Sequence, residues 1–585
     1  MSTAQVILKA ASIITMDEST PRAEAVAIDS STGIIIAVGS LDDCTKAAPG
    51  AAVTDLGTSV LMPGFIDPHS HPMLSGMATQ APAHWIAPWE GCPTFADVEA
   101  LFRKVDTELP KGEATVFNGL DRLLQGAPEL DSTQLDGYFP DRPALVLDNS
   151  GHEVYFNSAV ITLNGWVDGK PPADPPGARY GRNADGTSNG RAYETAAMLA
   201  AAEKTLAAAV PHPLLSAARW YVLMARNGVV ATSEHTYTPK FLKGYEALAM
   251  APDCPVRLAL YHMAIEPDCA EKLDSQVPAA MLWKQGIKLW ADGSPWNGTI
   301  AISFPYLDND TTKRAQIAPG ARGESAMNYS RSQIDGMLDA NVPDGWQMAV
   351  HVNGDVGLDV VLDAYERALT ETGLAGTDHR WRVEHCGAAR GDQFDRAAAM
   401  GVTASLLPAQ FIYWGDVLDG VMFESEIGSQ WVRAGDAVKS GTVTTFHNDG
   451  SVSPPIPLLN MQAMVTRRCA SGNLHGPQQM VSMDDALRAH TVHAAWQISR
   501  DKDLGSVTAG KLADLVELSS DPLAAEPEKL TEQVKVVSTW RAGSRIDLDT
   551  FLAGVEAMDP TEHQHLAAQA AVHQCCAHSP KGHEH

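Results

Sequence analysis

The sequence lacks any apolar run near the ~20 residues that a helix needs to cross a bilayer, although 45% of its 585 residues are hydrophobic. Its start, MSTAQVILKAASIITMDEST, has neither a basic n-region nor a proper hydrophobic segment. We therefore expect no signal peptide and no membrane partner.

Cysteine and basic residues are also scarce. The eight cysteines are scattered, and only Cys575 and Cys576 adjoin, so no disulfide framework is predicted and a reducing, cytoplasmic location is expected. Lys and Arg number 43 against 71 Asp and Glu, a formal net charge of −28. This balance argues against nucleic acid as a partner and is compatible with a soluble enzyme.

Both chain ends carry short β-strand patterns. VILKAASIITM and AEAVAIDSSTGIIIAVGS near the start alternate around a Gly-containing turn, and LADLVELSSDPL and VKVVSTWRAGSRI near the end do the same. We expect residues 1–61 and 500–550 to form one small β-sandwich domain.

Strands and helices alternate through residues 62–499, which predicts an α/β fold of the (β/α)8 TIM-barrel type. The eight candidate strands are LMPGFIDPHSH, GVVATSEHT, VRLALYHMA, IKLWADGS, QMAVHVNG, WRVEHCG, VTASLLP and TVTTFHNDG. The gap after the first strand is far longer than one βα unit. It predicts a long insertion over residues 72–212 that caps the barrel, while residues 551–585 read as a flexible, His/Cys-rich tail.

The pair His69 and His71 closes the first barrel strand. Side chains at i and i+2 of a strand point to the same side, so both imidazoles can face one metal ion. Further candidate ligands lie on or at the ends of later strands, where barrel enzymes place their catalytic residues. They are Lys288, His351, His385 and Asp449.

This order of residues resembles the amidohydrolase superfamily. The finer similarity is to its YtcJ-like branch, also called amidohydrolase 3, which includes N-substituted formamide deformylases. The segments that carry it are PGFIDPHSH, SGHEVYFNSAV, IKLWADGS, VEHC, HNDGSVSP and LGSVTAGKLADLVEL. The resemblance implies two divalent metal ions at the barrel mouth, most often zinc, with manganese, iron or cobalt as alternatives.

The resemblance also implies roles for the ligands. Lys288 would be carboxylated by CO2, because a carbamate can bind both ions and an ammonium cannot. His69, His71 and Asp449 would hold the buried ion. His351 and His385 would hold the outer one.

The implied reaction is hydrolysis of a non-peptide C–N bond in an amide, a formamide or a cyclic amide, by a hydroxide that bridges the metals. Asp449 would act as general base and then general acid. An unmodified Lys288 would instead favour a mononuclear site and a deaminase, lyase or isomerase. A non-catalytic scaffold is a third reading, although none of the six ligand positions is lost.

Further residues are expected around the substrate. His152 is a candidate catalytic or oxyanion contact in the insertion, and the other substrate-binding candidates are Asn157, Asp292, Trp89, Trp290 and Trp296. The expected partner is a small-molecule amide. A homodimer or higher homo-oligomer is expected only because such assemblies are usual in the superfamily.

Overall fold

The computed structural model describes residues 5–151, 153–175, 178–193, 195–266 and 268–566. The first part of the chain forms five strands and one helix, which are β1 (Gln5–Ile14), β2 (Arg22–Asp29), β3 (Ile34–Gly39), α1 (Leu41–Ala47), β4 (Ala52–Asp55) and β5 (Val60–Pro63). Helix α1 begins at Ser40, whose side chain accepts a hydrogen bond from the Asp43 backbone NH.

The first barrel strand and the long connection that follows it come next. They comprise β6 (Phe65–Ser70), α2 (Pro72–Thr79), β7 (His84–Trp85), α3 (Phe95–Glu108), β8 (Thr115–Leu120), α4 (Ser132–Tyr138), β9 (Ala144–Asp148), β10 (Glu153–Phe156), α5 (Ser158–Asn164), β11 (Arg179–Arg182), β12 (Ser188–Tyr193) and α6 (Thr195–Ala209). Strands β7–β12 form a six-stranded sheet of their own. The segment predicted as an insertion therefore contains a sheet with its own buried apolar cluster around Phe102, Phe117 and Phe139.

Seven more parallel strands complete the barrel with their helices. In chain order these elements are α7 (Pro213–Arg226), β13 (Val229–Tyr237), α8 (Leu242–Met250), β14 (Arg257–Met263), β15 (Leu282–Trp290), α9 (Asp310–Arg314), α10 (Arg331–Asn341), β16 (Gln347–Val352), α11 (Asp355–Thr372), β17 (Arg382–His385), α12 (Gly391–Met400), β18 (Thr403–Leu406), α13 (Pro408–Leu418), α14 (Ser425–Gly428), α15 (Ala434–Ser440) and β19 (Thr444–Phe446). Every residue of β14, β16, β17, β18 and β19 is buried, as expected for parallel strands covered on both faces.

The eight parallel strands run in the order β6-β13-β14-β15-β16-β17-β18-β19, and the prediction of an eight-stranded α/β barrel is confirmed. The first and last strands meet just beyond β19, where the Asp449 backbone NH donates to the His69 carbonyl oxygen at 3.2 Å. Beside this contact, the Asn448 backbone NH donates to Asp67 Oδ1 at 3.1 Å. Burial raises the pKa of Asp67 to about 7, against the opposing hydrogen bonds from Asn448.

The C-terminal part returns to the first sheet. Its elements are α16 (Pro457–Thr466), α17 (Met483–Ala489), α18 (Val492–Gln497), β20 (Leu515–Leu518), α19 (Leu530–Gln533), β21 (Val536–Arg541), β22 (Ser544–Arg545) and α20 (Leu548–Glu556). Strand β20 pairs antiparallel with β5, so both chain ends join in one mixed eight-stranded sheet. Its arrangement as a sandwich and the domain boundaries remain predictions.

The predicted first barrel strand is divided between two sheets. Residues Val60–Pro63 belong to the terminal sheet and Phe65–Ser70 to the barrel. Gly64 lies at the division, and a Cβ there would come within 2.4 Å of the Val230 side chain. A glycine is needed because the chain passes so close to the second barrel strand.

The predicted tail is in part a packed element. Phe551 and Val555 of α20, together with Leu566, are buried in the cluster that also contains Tyr221 of α7. Residues 567–585, with Cys575 and Cys576, lie outside the described residues. Within the described part of the chain, no helix combines the length and apolar character needed to cross a membrane.

Gly76 makes the packing of α2 against α7 depend on one missing methyl group. A Cβ at Gly76 would lie 2.4 Å from the Ala217 Cα, whereas a Cβ at Gly336, in α10, would meet nothing within 4 Å. We predict that Gly76→Ala destabilises the protein by roughly 1–3 kcal/mol through overpacking. Gly336→Ala should stabilise it by up to about 1 kcal/mol through helix propensity. Urea unfolding midpoints measure both, and an equal shift in the two variants would contradict this packing argument.

Candidate metal centre

His69 and His71 converge on one carboxylate oxygen. The Nε2 atom of His69 lies 3.5 Å from Asp449 Oδ1, and that of His71 lies 3.3 Å from the same oxygen. His69 ends β6, His71 follows it as the first residue before α2, and Asp449 follows β19. The barrel thus brings His69 and His71 together with a carboxylate that follows His69 by 380 residues in the sequence.

Two buried carboxylates orient this histidine pair. His69 Nδ1 lies 2.6 Å from Glu384 Oε2, and His71 Nδ1 lies 3.2 Å from Glu234 Oε1. Because an ionised carboxylate only accepts hydrogen bonds, both Nδ1 atoms are the donors, and both Nε2 atoms face Asp449. Carboxylates that hold the far nitrogen of a metal-binding histidine in this way are a common feature of metal centres.

Glu384 is fixed in turn by Arg382. The Arg382 Nη2 atom donates to Glu384 Oε2 at 2.8 Å and to the Pro68 carbonyl oxygen at 3.0 Å. Both side chains are completely buried. The ion pair therefore links the strand of His385 to the strand of His69 through the barrel interior.

Lys288 lies directly against the histidine pair. Its Nζ atom is 3.2 Å from His69 Nε2 and 5.4 Å from the centre of the Trp290 ring, and the residue is fully buried. The structure thus places Lys288 beside His69, and its role as a ligand remains a prediction. Its carboxylation remains a prediction.

His385 and His351 form a second group beside the first. His385 Nδ1 lies 3.9 Å from Asp449 Oδ2, and the rings of His351 and His385 are 4.3 Å apart. His351 Nε2 lies 3.0 Å from the Gly293 carbonyl oxygen and 3.1 Å from Asn353 Nδ2. All six predicted ligands therefore lie in one cluster at the carboxyl ends of the strands.

His447 and His235 belong to this cluster as well. His447 Nε2 lies 3.1 Å from His385 Nδ1, while its Nδ1 lies 2.9 Å from Ser405 Oγ. The His235 ring stacks on His69 with a centroid distance of 3.9 Å. His447 is not among the six predicted ligands, but the structure places its ring nitrogen within 4.8 Å of those of His69 and His385.

Burial sets the protonation of these imidazoles. It lowers the pKa of His69, His235, His385 and His447 well below the usual value, with neighbouring cations adding to the effect. His71 differs: burial lowers its pKa, but hydrogen bonds to Asp449 and Glu234 outweigh burial and raise it to about 9. Neutral imidazoles can donate a lone pair to a cation.

The donor set fits a divalent transition metal. Imidazole nitrogens and a carboxylate oxygen are the ligands that zinc and its neighbours prefer in proteins. Two groups of ligand atoms meet within 4.8 Å, one of His69, His71 and Asp449 and one of His69, His385 and His447. A third group combines His69 with His235 and Glu384, and a separate group, of His262, Glu266 and Asp268, lies at the end of β14, where His262 Nε2 is 2.8 Å from Glu266 Oε2.

A cavity of about 60 Å³ opens beside these ligands. Such a volume admits a few water molecules or a very small acyl group. Trp290 and Trp296 line the cavity together with Gln410, Ser150 and Ser451, and their contact with a substrate remains a prediction. Trp89 does not line it but stacks on Tyr413 at a centroid distance of 4.0 Å.

Two other predicted substrate contacts have structural roles instead. Asn157 is fully buried, caps α5 through its Oδ1 and donates Nδ2 to the carbonyl oxygens of Phe139 and Arg142. Because the side-chain amide of Asn157 is bonded to backbone groups, Asn157 is a helix cap and not the expected substrate contact.

The side chain of Asp292 also hydrogen-bonds to the backbone. Its carboxylate accepts from the backbone NH groups of Asn353, Gly354 and Ala301 at 2.7–3.0 Å, and it lies 4.0 Å from His351 Nε2. It orients the loop after His351. The predicted catalytic residue His152 lies outside the described residues.

The segment between β6 and β13 contacts the loop that follows Asp449. Asn118 Nδ2 of β8 donates to Ser451 Oγ at 3.3 Å, two residues after Asp449. Trp414 Nε1 donates to Asp121 Oδ2 at 3.0 Å, which joins helix α13 to the same part of the insertion. The segment between β6 and β13 therefore packs directly over the mouth of the barrel.

We predict that Glu234→Gln weakens metal binding by roughly 10–100-fold, because the amide keeps the acceptor toward His71 but removes the negative charge. Competition with a chromophoric chelator measures the affinity. Glu517→Gln is the matched control, since Glu517 accepts hydrogen bonds from Ser59 and Ser538 in the sheet formed by both chain ends, away from the cluster. Unchanged affinity in the Glu234 variant would remove Glu234 from the metal centre.

Comparisons with known proteins identify the family of this chain. A profile of the amidohydrolase family matches residues 52–547. The chain is 26% identical over 555 residues to the N-substituted formamide deformylase of Arthrobacter pascens, covering 91% of this chain and 96% of that protein. It is 25% identical over 537 residues to the putative amidohydrolase YtcJ of Bacillus subtilis (strain 168), covering 88% and 95%.

A solved structure shares the fold. An uncharacterized metal-dependent hydrolase from Pyrococcus horikoshii OT3 superposes with a TM-score of 0.68 at 21% identity, covering 90% of this chain and 99% of that one. Because the family profile spans most of the sequence, the chain belongs to the amidohydrolase family, and it is a hydrolase that acts on carbon–nitrogen bonds.

Proposed function

We propose that the protein hydrolyses a small N-substituted formamide or a related non-peptide amide at a binuclear metal centre. The observation that carries this proposal is the convergence of His69 Nε2 and His71 Nε2 on Asp449 Oδ1, with Lys288 Nζ beside His69. The formamide deformylase relative supports the substrate class.

In this proposal two sets of residues hold the metal ions. His69, His71 and Asp449 would hold one ion. His351 and His385 would hold the other. Lys288, as its carbamate, would contribute to both, and His447 would fix the ring of His385 through their 3.1 Å contact.

The bound ions would supply Lewis-acid polarisation of the substrate carbonyl and acidification of water. Asp449 would accept a proton from the attacking water and pass it to the leaving nitrogen. A C–O bond forms at the carbonyl carbon, the C–N bond breaks, and a formamide yields formate and an amine. Asp449 is suited to this because its two oxygens face different histidines: Oδ1 faces His69 and His71, and Oδ2 faces His385.

The donor set is most compatible with zinc, and also with manganese, iron or cobalt. The proposed substrate is a small-molecule amide, with no nucleic-acid or membrane partner. A cytoplasmic setting fits the six described cysteines, all of which are free and buried. A homodimer is proposed only by analogy with the superfamily.

We expect the metal-loaded protein to release formate from N-aryl or N-alkyl formamides. Asp449→Asn should lower kcat by about 10²–10⁴-fold, the usual contribution of a general base or acid, or more if metal is also lost. Coupled formate detection measures turnover, and circular dichroism checks the fold. Asp392→Asn, on the surface, is the control. Full activity in the Asp449 variant would overturn the assignment of the general base.

A binuclear centre makes a second, independent prediction. Elemental analysis of the wild type and of a His69→Ala/His351→Ala double variant should differ by about two metal equivalents per chain. A difference of about one would replace the binuclear mechanism by a mononuclear one. Equal metal content in both proteins would show that these histidines bind none.

A further inference from the structure

Another group of side chains that could hold a metal ion lies on the outer side of helix α13, apart from the catalytic cluster. Asp416 is near the end of this helix, and Cys469 and His475 stand on the two arms of a hairpin closed between Arg468 and Leu474. One ligand atom from each of Asp416, Cys469 and His475 lies within 4.8 Å of the others. The group combines a carboxylate, a thiol and an imidazole.

Asp419 orients the imidazole of this group. His475 Nδ1 lies 2.6 Å from Asp419 Oδ2, and its Nε2 lies 2.8 Å from Asp416 Oδ1. If His475 Nδ1 donates its hydrogen to Asp419, the lone pair of Nε2 faces Asp416 and Cys469. This is the carboxylate–histidine arrangement that prepares an imidazole for a metal ion.

The thiol completes a compact site. Cys469 Sγ lies 3.4 Å from Asp416 Oδ1, and the residue is 6% exposed. The Asp416 side chain is 42% exposed, so one side of the group remains open to solvent. Three protein ligands with an open fourth position are a common zinc environment.

The backbone around the group is held in place without any metal. A Cβ at Gly415 would lie 3.0 Å from Cys469 Cβ and 3.6 Å from His475 Cδ2, so glycine permits the close approach of helix and hairpin. Arg467, fully buried, donates to the carbonyl oxygens of Val432, Trp431 and His475. The ligands therefore sit on a fixed frame, which lowers the ordering cost of binding an ion.

We propose that Asp416, Cys469 and His475 bind one thiophilic divalent cation, of the zinc or cobalt type, with Asp419 as the partner of His475. On binding, the thiol proton passes to solvent and the thiolate becomes a ligand. A thiolate selects zinc or cobalt over magnesium, calcium and manganese.

The site would fasten the hairpin to helix α13. The inner side of the same helix carries Gln410, which lines the catalytic cavity, and Trp414, which stacks on Trp296 at 4.1 Å. The cation would therefore stabilise the wall of the catalytic cavity from outside. The proposed role of the ion is to hold the hairpin in place, with water in the fourth position, and it does not depend on the proposed reaction.

Cobalt titration of the metal-free full-length protein tests the proposal, with thiolate-to-cobalt charge-transfer absorption as the readout. The catalytic ligand groups contain no cysteine, so this absorption reports on Cys469 alone once the tail is controlled. We expect it in the wild type and in a Cys575→Ser/Cys576→Ser variant, and we expect its loss in Cys469→Ser. Cys44→Ser, which removes a buried thiol elsewhere, should retain it.

Two milder variants guard against misfolding. Asp416→Asn and His475→Gln should each weaken cobalt binding at this site by at least about tenfold, with unchanged circular dichroism. Absorption that survives Cys469→Ser overturns the proposal. So does its absence in the wild type, or its loss in the Cys575/Cys576 variant, which would assign the thiolate to the tail.

Discussion

The buried ion pair between Arg382 and Glu384 is the contact on which the metal centre depends. Arg382 also donates to the Pro68 carbonyl oxygen and to the Tyr261 hydroxyl, so one guanidinium ties together strands β6, β14 and β17. Glu384 passes this constraint to His69 through a 2.6 Å contact. A buried ion pair contributes little net stability, but it can fix the orientation of the side chains around it. Here it fixes the orientation of the His69 ring.

A second constraint acts from the other side of the cavity. The segment between β6 and β13 forms its own sheet, yet its side chains reach the loop that follows Asp449 through the Asn118–Ser451 hydrogen bond. Asp121 receives a hydrogen bond from Trp414, and Trp414 stacks on Trp296 of the cavity wall. The barrel thus positions the candidate ligands. Contacts between the barrel and the segment that follows β6 determine the shape of the cavity.

Much of the centre could be predicted because strand periodicity and strand ends are visible in a sequence. His69 and His71 share a side by their i, i+2 spacing, and the other ligands end strands whose apolar runs are clear. Glu384 was not predicted from the sequence, because side chains alternate along a strand and this alternation would place Glu384 and His385 on opposite faces. His385 has a positive φ of 71°, which turns the backbone so that both side chains reach the cluster.

Other errors have similar local causes. Asn157 looked like a substrate contact in SGHEVYFNSAV, but an Asn ahead of a helix is equally suited to cap it, and only its backbone partners decide between these roles. LMPGFIDPHSH looked like one strand because Gly64 interrupts its apolar pattern without ending it. The strand is divided at Gly64 because the Val230 side chain approaches closely there, and Val230 belongs to another strand.

The sequence by itself determined the eight strands, their order and the six candidate ligands, because these depend on local patterns of apolar and polar residues. Only the tertiary structure decided which carboxylates orient the histidines, which histidines join them, and which tryptophans line the cavity. These depend on side chains from distant strands that share a space of a few ångströms. Such distances follow from the closure of the barrel and cannot be read from any one segment.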